Sequence, residues 1–314
     1  KRVLNSNSGS KITGRFNTKT IQYLKTIYIP QNPFPSRQRY KYMITLTQKH
    51  RFRVPIHAEN ITPDIFETKT IDEIKILPVF EGNRRRVVAD LFKVDHDSSN
   101  EDRTIHLVGD LTKLKKIGAK MSLGQIVVDG SVGMRLGEGM KGGTITVKGN
   151  ADSWVGTMMK GGLIEVLGNA GDYIGASYRG STEGMKKGTI VVHGDAGSDV
   201  GCFMKNGLIK VLGNIGSFAG VNMRDGTILV KGDSEGRLGA QMHGGKIVVL
   251  GHVPSILPTF TINSIRRRAR VGNERVSGPF YMYNGDLAEM GEGRLYVSKA
   301  KNPHLKVYEK YLPS

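Results

Sequence analysis

Gly137-Glu-Gly139-Met-Lys-Gly142 is a literal G-x-G-x-x-G, the spacing that holds a dinucleotide pyrophosphate when it joins a strand to a helix. The next residues, Thr144–Val147, alternate like a strand, and similarly spaced glycines recur down the chain. These glycines are therefore read as corners of a repeat. Metal and redox chemistry need several convergent ligands. The 314 residues hold one cysteine, Cys202, which excludes an internal disulfide framework and any Cys-built zinc or iron–sulfur site. The eight histidines show neither zinc nor triad spacing; His193 and His243 fall in variable columns and read as solvated. Cys202 has no neighbouring base in the sequence and reads as a passive thiol. No G-x-S-x-G, Walker or paired-carboxylate pattern stands out. The expectation is that this chain carries no catalytic, cofactor-binding or metal-binding residue.

Two features point instead to a partner. A recurring methionine is followed in turn by Ser122, Lys141, Lys160, Lys186, Lys205, Arg224 and His243. Stacked in register, these would hold like charges about 4.8 Å apart, a cost unless the side chains splay or meet an acidic surface. The second feature is Tyr178-Arg-Gly-Ser-Thr-Glu-Gly184, which lengthens one repeat and has to bulge from it. An aromatic beside an arginine on a loop is frequent at interfaces. The candidate interface residues are thus Tyr178, Arg179, Lys141, Lys160, Lys186, Lys205 and Arg224. A solvated stripe and a tolerated insertion remain open as alternatives.

What positions these residues is a repeat. The unit apolar-Gly-x-x-Met-x-x-Gly-x-Ile-x-Val-x-Gly occurs seven times, with its middle glycine at 124, 143, 162, 188, 207, 226 and 245. The steps are 19 residues except one of 26. Ile stands at 126, 145, 164, 190, 209, 228 and 247, and Val two residues later each time, the period-two signature of a short strand with one buried face. No tight turn returns the chain as a hairpin, so each strand must stack on its equivalent one repeat later. Gly118, Gly124, Gly130 and Gly137 mark corners six, six and seven residues apart, which gives a coil with three faces. The seven-residue side departs from a hexapeptide repeat, and parallel crossovers are right-handed almost always. The fold expected is all-β: a right-handed parallel β-helix over 105–254, about seven 19-residue coils and about 34 Å long. Met121, Met140, Met159, Met185, Met204, Met223 and Met242 are read as core filler.

The ends need covers. A small α/β cap is expected over 43–104. Thr62-Pro63-Asp64 and the capping box Thr70-Ile-Asp-Glu73 start helices there, and Met43–Thr47 and Arg85–Val88 read as strands. Beyond Pro254 and Pro258 the repeat fades, and residues 255–314 read as an irregular tail. Residues 1–42 read as a basic, flexible extension. The formal charge of +18 is concentrated there: residues 1–50 hold ten Lys or Arg and no Asp or Glu. That distribution argues against nucleic acid as the partner. No apolar run is long enough to span a bilayer, so no membrane insertion is expected, and the single cysteine suits a reducing cytoplasm.

The motif Met-x-Gly-Gly-x-Ile-x-Val-x-Gly, as in Met140–Gly149, and the run Gly168-Asn-Ala-Gly-Asp-Tyr-Ile-Gly-Ala-Ser-Tyr-Arg-Gly180 resemble the C-type subunit of formylmethanofuran dehydrogenase. Its repeats belong to the GXGXG group that also closes the large subunit of glutamate synthase. Pro63-Asp-Ile-Phe66, Ile71-Asp-Glu-Ile74 and Asn302-Pro-His-Leu305 resemble the archaeal branch, and the likeness runs from about residue 43 to the end. The resemblance implies a non-catalytic scaffold in a cytoplasmic oxidoreductase complex that reversibly couples carbon dioxide and methanofuran to formylmethanofuran. Molybdenum or tungsten pterin, iron–sulfur clusters and a binuclear metal site would then sit in pterin-binding, iron–sulfur and amidohydrolase-like partner subunits. A related alternative is the bacterial formyltransferase/hydrolase complex, and a more distant one is a free-standing binding module.

Overall fold

The computed structural model describes residues 43–97 and 103–313; the extension expected over 1–42 lies outside the described residues. The N-terminal part carries β1 (Met43–Gln48), β2 (Ile56–His57), β3 (Pro78–Glu81), β4 (Arg84–Val87) and β5 (Phe92–Asp97), with short helices at Pro63–Phe66, Ile71–Lys75 and Val88–Leu91. The first helix starts where the Thr62 hydroxyl accepts from the Ile65 N–H, with Pro63 in its first turn. The second has the reciprocal capping box of Thr70 and Glu73. No helix among the described residues is long and apolar enough to cross a membrane.

The chain then lays down β6 (Thr104–Val108), β7 (Leu114–Lys115), β8 (Gln125–Asp129), β9 (Thr144–Val147), β10 (Lys160–Val166), β11 (Lys187–Val192), β12 (Leu208–Val211), β13 (Thr227–Val230) and β14 (Lys246–Val249). From β6 to β14, leaving out β7, each strand pairs with the next in parallel register: Ile126 lies beside Ile145, Ile145 beside Ile164, and so on to Ile247. Single parallel bridges form a second line, Leu111, Val132, Ala151, Ala170, Ala196, Ile215 and Ser234. A third line runs through backbone bonds such as Gly156 N–H to Leu136 O and Gly220 N–H to Val200 O, both 2.8 Å. Each repeat is thus tied to the next three times per turn of chain.

The Ile, Val and Met columns are fully or almost fully buried in one continuous core. Each such side chain contributes about 1.5–3 kcal/mol when fully buried. Corner glycines are dictated by contact as well as by φ. At Gly162 (φ +88°) a Cβ would lie 2.8 Å from the Gly143 carbonyl oxygen of the repeat below. A ladder of turn residues ties the corners: the Oδ1 atoms of Asn150, Asn169, Asp195, Asn214 and Asp233 each accept the backbone N–H of the equivalent residue one repeat on.

The region expected as an irregular tail over 255–314 is ordered across its described residues, 255–313. They form the long hairpin β15 (Thr261–Val271) and β16 (Glu274–Gly285), then β17 (Gly293–Ser298). β17 lies parallel to β14 and sets Leu295 beside Ile247 and Val297 beside Val249, which extends the same columns. The insertion of the hairpin between β14 and β17 stretched the repeat beyond its period. The result is a 13-stranded sheet in the order β15-β16-β17-β14-β13-β12-β11-β10-β9-β8-β6-β1-β5, beside a small sheet β4-β3-β2-β7. The hairpin also covers the outer face of the last strands: Ala269, Val271, Phe280 and Met282 pack on Leu229, Val248 and Tyr296 in a second core.

Candidate interaction surface

Each 19-residue unit turns at a residue that is left-handed yet not glycine: Lys116, Arg135, Trp154, Tyr173, Asp199, Phe218 and Arg237, with φ between 55° and 66°. This conformation costs roughly 1–2 kcal/mol for an L-residue. At two steps of the column, side-chain stacking helps to offset it. Trp154 and Tyr173 lie with centroids 4.9 Å apart and planes 8° from parallel, close to the spacing of about 4.8 Å between strands. Arg237 covers Phe218 at 5.1 Å.

The long repeat docks onto this column. Its Tyr178 ring meets Trp154 edge-on at 5.9 Å, and the Arg135 guanidinium lies 3.9 Å from the Tyr178 centroid. Arg135 also pairs with Glu138. Arg179 reaches over Trp154 at 5.3 Å while remaining exposed. Tyr178 is therefore half-buried against its own chain, and Arg179 stands over Trp154. The loop's Glu183 pairs with Lys186 at 2.5 Å and with Lys205. Hydrogen bonds from these two ammonium groups hold the Glu183 carboxyl down at about 2.

The residues of the expected basic row fall into two sets. Lys186 and Lys205 are answered by Glu183, whereas Lys141, Lys160 and Arg224 are exposed with no carboxylate partner among the described residues. The structure brings Tyr178 and Arg179 together with Trp154, Tyr173 and Arg135, a grouping that sequence reasoning missed. The chain's single tryptophan, one repeat before a tyrosine, was the available signal.

Cys202 sits half-buried, and burial followed by the nearby Asp199 charge pushes its thiol up to about 11, so it is protonated at neutral pH. Burial, then Asp172, raises Asp199. His193 is exposed and bonds Glu165 at 2.8 Å. Among the described residues no group of three or more His, Cys, Asp or Glu side chains could hold a metal ion.

No protein-family model matches the chain. A 91-residue stretch is 40% identical to the C-type subunit of the molybdenum-containing formylmethanofuran dehydrogenase 1 of Methanothermobacter marburgensis, covering 29% of this chain and 22% of that protein. A 93-residue stretch is 41% identical to the C-type subunit of the tungsten-containing formylmethanofuran dehydrogenase 2 of Methanothermobacter wolfeii, covering 29% and 34%. These matches span about a third or less of either relative. A chain in the crystal structure of the formyltransferase/hydrolase complex (FhcABCD) from Methylorubrum extorquens, in complex with methylofuran, superposes with a TM-score of 0.71 at 30% identity, over 81% of this chain and 99% of that one.

Proposed function

We infer the function from one premise: the chain belongs to the family of C-type subunits of formylmethanofuran dehydrogenase. It is a structural subunit that holds catalytic partners in place and supplies no reacting group itself. The three parallel lines of pairing are read as the faces of a right-handed parallel β-helix, capped over 43–104 and closed by the C-terminal hairpin. Its partners are the pterin-binding, amidohydrolase-like and iron–sulfur subunits of a cytoplasmic complex that interconverts carbon dioxide and formylmethanofuran.

The observation that carries the subunit role is the match, at 30% identity, to 99% of one chain of the formyltransferase/hydrolase complex, and the partial matches to the C-type subunits support the dehydrogenase assignment. The ligand chemistry of the chain is consistent with it. One thiol falls short of the several cysteines an iron–sulfur cluster takes, and the described residues do not fit a metal site. On this reading the molybdenum or tungsten pterin and the clusters sit in the partners.

The same match favours a second reading, in which the partners form a formyltransferase/hydrolase complex without the redox half. The test is to co-express the chain with its co-encoded subunits, purify the complex and measure metals and activity. The first reading expects molybdenum or tungsten with formate oxidation in the complex, and neither in the isolated chain. A complex with neither metal supports the second. Near one metal atom per isolated chain would remove the structural role.

A further inference from the structure

The far half of the C-terminal hairpin reads Ile265-Arg-Arg-Arg-Ala-Arg-Val-Gly-Asn-Glu-Arg-Val276, five arginines against one carboxylate. That carboxylate is already engaged, because Glu274 pairs with Lys210 at 2.7 Å. Arg266, Arg267, Arg268, Arg270 and Arg275 are exposed, and none meets a carboxylate among the described residues. Arg270 lies directly opposite Arg275 in the antiparallel register, where like charges repel. Underneath, Lys246 donates to the Arg270 carbonyl at 2.9 Å. Burial, then Arg294 and Arg270, lowers its pKa. The arm gathers positive charge that the described residues leave unanswered.

Charged residues also protect sheet edges from strand addition, and β15 is such an edge among the described residues. Here two register shifts, between Ile262 and Ser264 and between Arg266 and Arg268, already spoil that edge. Protection does not call for five cations in addition. All are arginine, whose planar fork grips a carboxylate bidentately and is less strongly hydrated than an ammonium. Ile265, 37% exposed on the same strand, adds apolar contact area.

We propose that the β15–β16 hairpin is a docking arm for an acidic surface on a co-subunit. The proposal rests on the subunit reading above. Phosphates of a nucleic acid would meet the same guanidinium groups, but the solved chain that this one matches belongs to a protein complex.

The test uses the full chain and its co-encoded subunits, expressed and purified. One variant combines Arg266→Gln, Arg267→Gln, Arg268→Gln and Arg275→Gln; a control combines Lys141→Gln, Lys160→Gln and Arg224→Gln. The hairpin variant is expected to melt like the parent, to bind the co-subunits about tenfold or more weakly, and to show a shallower salt dependence. The control loses less. Should the glutamine set unfold, the four Arg→Lys replacements keep the charge, and weaker binding then reports the lost bidentate fork. Parent-like affinity in the folded hairpin variant overturns the docking arm. Hairpin-dependent binding to a short DNA duplex, tighter than to the co-subunits, overturns protein as its occupant. A parent chain that binds no co-subunit sinks the subunit reading, and this proposal with it.

Discussion

At Glu183 the carboxyl is held near 2 against an ordinary value of 4.5. A depressed folded-state pKa stabilises the paired loop above the unfolded value, and that contribution fades as pH falls through this interval. Glu183→Gln is therefore expected to loosen the 178–184 loop already at neutral pH, read as faster proteolysis there. The parent loop should loosen only on acidification; equal proteolysis of the two at neutral pH would refute the pairing. Arg179 belongs to the same loop. Replacing Tyr178 and Arg179 together by Ala should weaken co-purification of partner subunits more than Lys160→Ala with Lys205→Ala, because desolvated aromatic and Arg anchors outweigh rim lysines. Full recovery of the complex across a salt series would make the bulge a tolerated insertion. The Ile, Val and Met columns were legible because one residue type repeats at one spacing. The column of Arg135, Trp154 and Tyr173 was not, because its common property is a left-handed backbone and its side chains differ.

The β15–β16 hairpin is where element-scale reading from sequence failed. Phe280-Tyr-Met-Tyr283 is buried at every position, since one face looks into the main core and the other onto the second. Alternation, the usual mark of a strand, disappears when both faces are covered. The outward column did carry a signal: it runs Val127, Thr146, Glu165, Val191 and Lys210, isolated valines among polar residues, and then turns apolar twice in succession at Leu229 and Val248. Those apolar residues needed a cover, and Phe280 supplies part of it. Phe280→Ala is expected to cost about 3–5 kcal/mol, seen as a lower denaturant midpoint. Backbone amides of Thr227–Val230 and Lys246–Val249 should exchange faster, with Gln125–Asp129 little changed. Uniform acceleration across all of these strands would mean that the hairpin is integral to the whole stack rather than a local cover.

At the scale of the whole molecule the sheet is a one-dimensional array, in which each repeat touches chiefly its neighbours and stability is close to a sum of repeat and interface contributions. Ile164 sits near the middle of that array, fully buried, with Ile145 on one side and Ile190 on the other. An aspartate there has no partner in the apolar column and must either ionise without compensation or take up a proton. Ile164→Asp should therefore cost more than about 4 kcal/mol, at the severe end for a single substitution. Because the damage falls between two runs of intact interfaces, it should also divide the array. Hydrogen exchange is expected to show β8 and β9 on one side, and β13, β14 and β17 on the other, losing protection at different denaturant concentrations. In the parent they should lose it together. The hairpin packs against the last strands and the short helices lie at the first, so each half keeps its own cover when the middle fails. The C-terminal half should outlast the N-terminal one, as it carries the second core. A melt of Ile164→Asp that matches the parent would show that residue 164 does not face the interior, and the register of the entire stack would have to be drawn again.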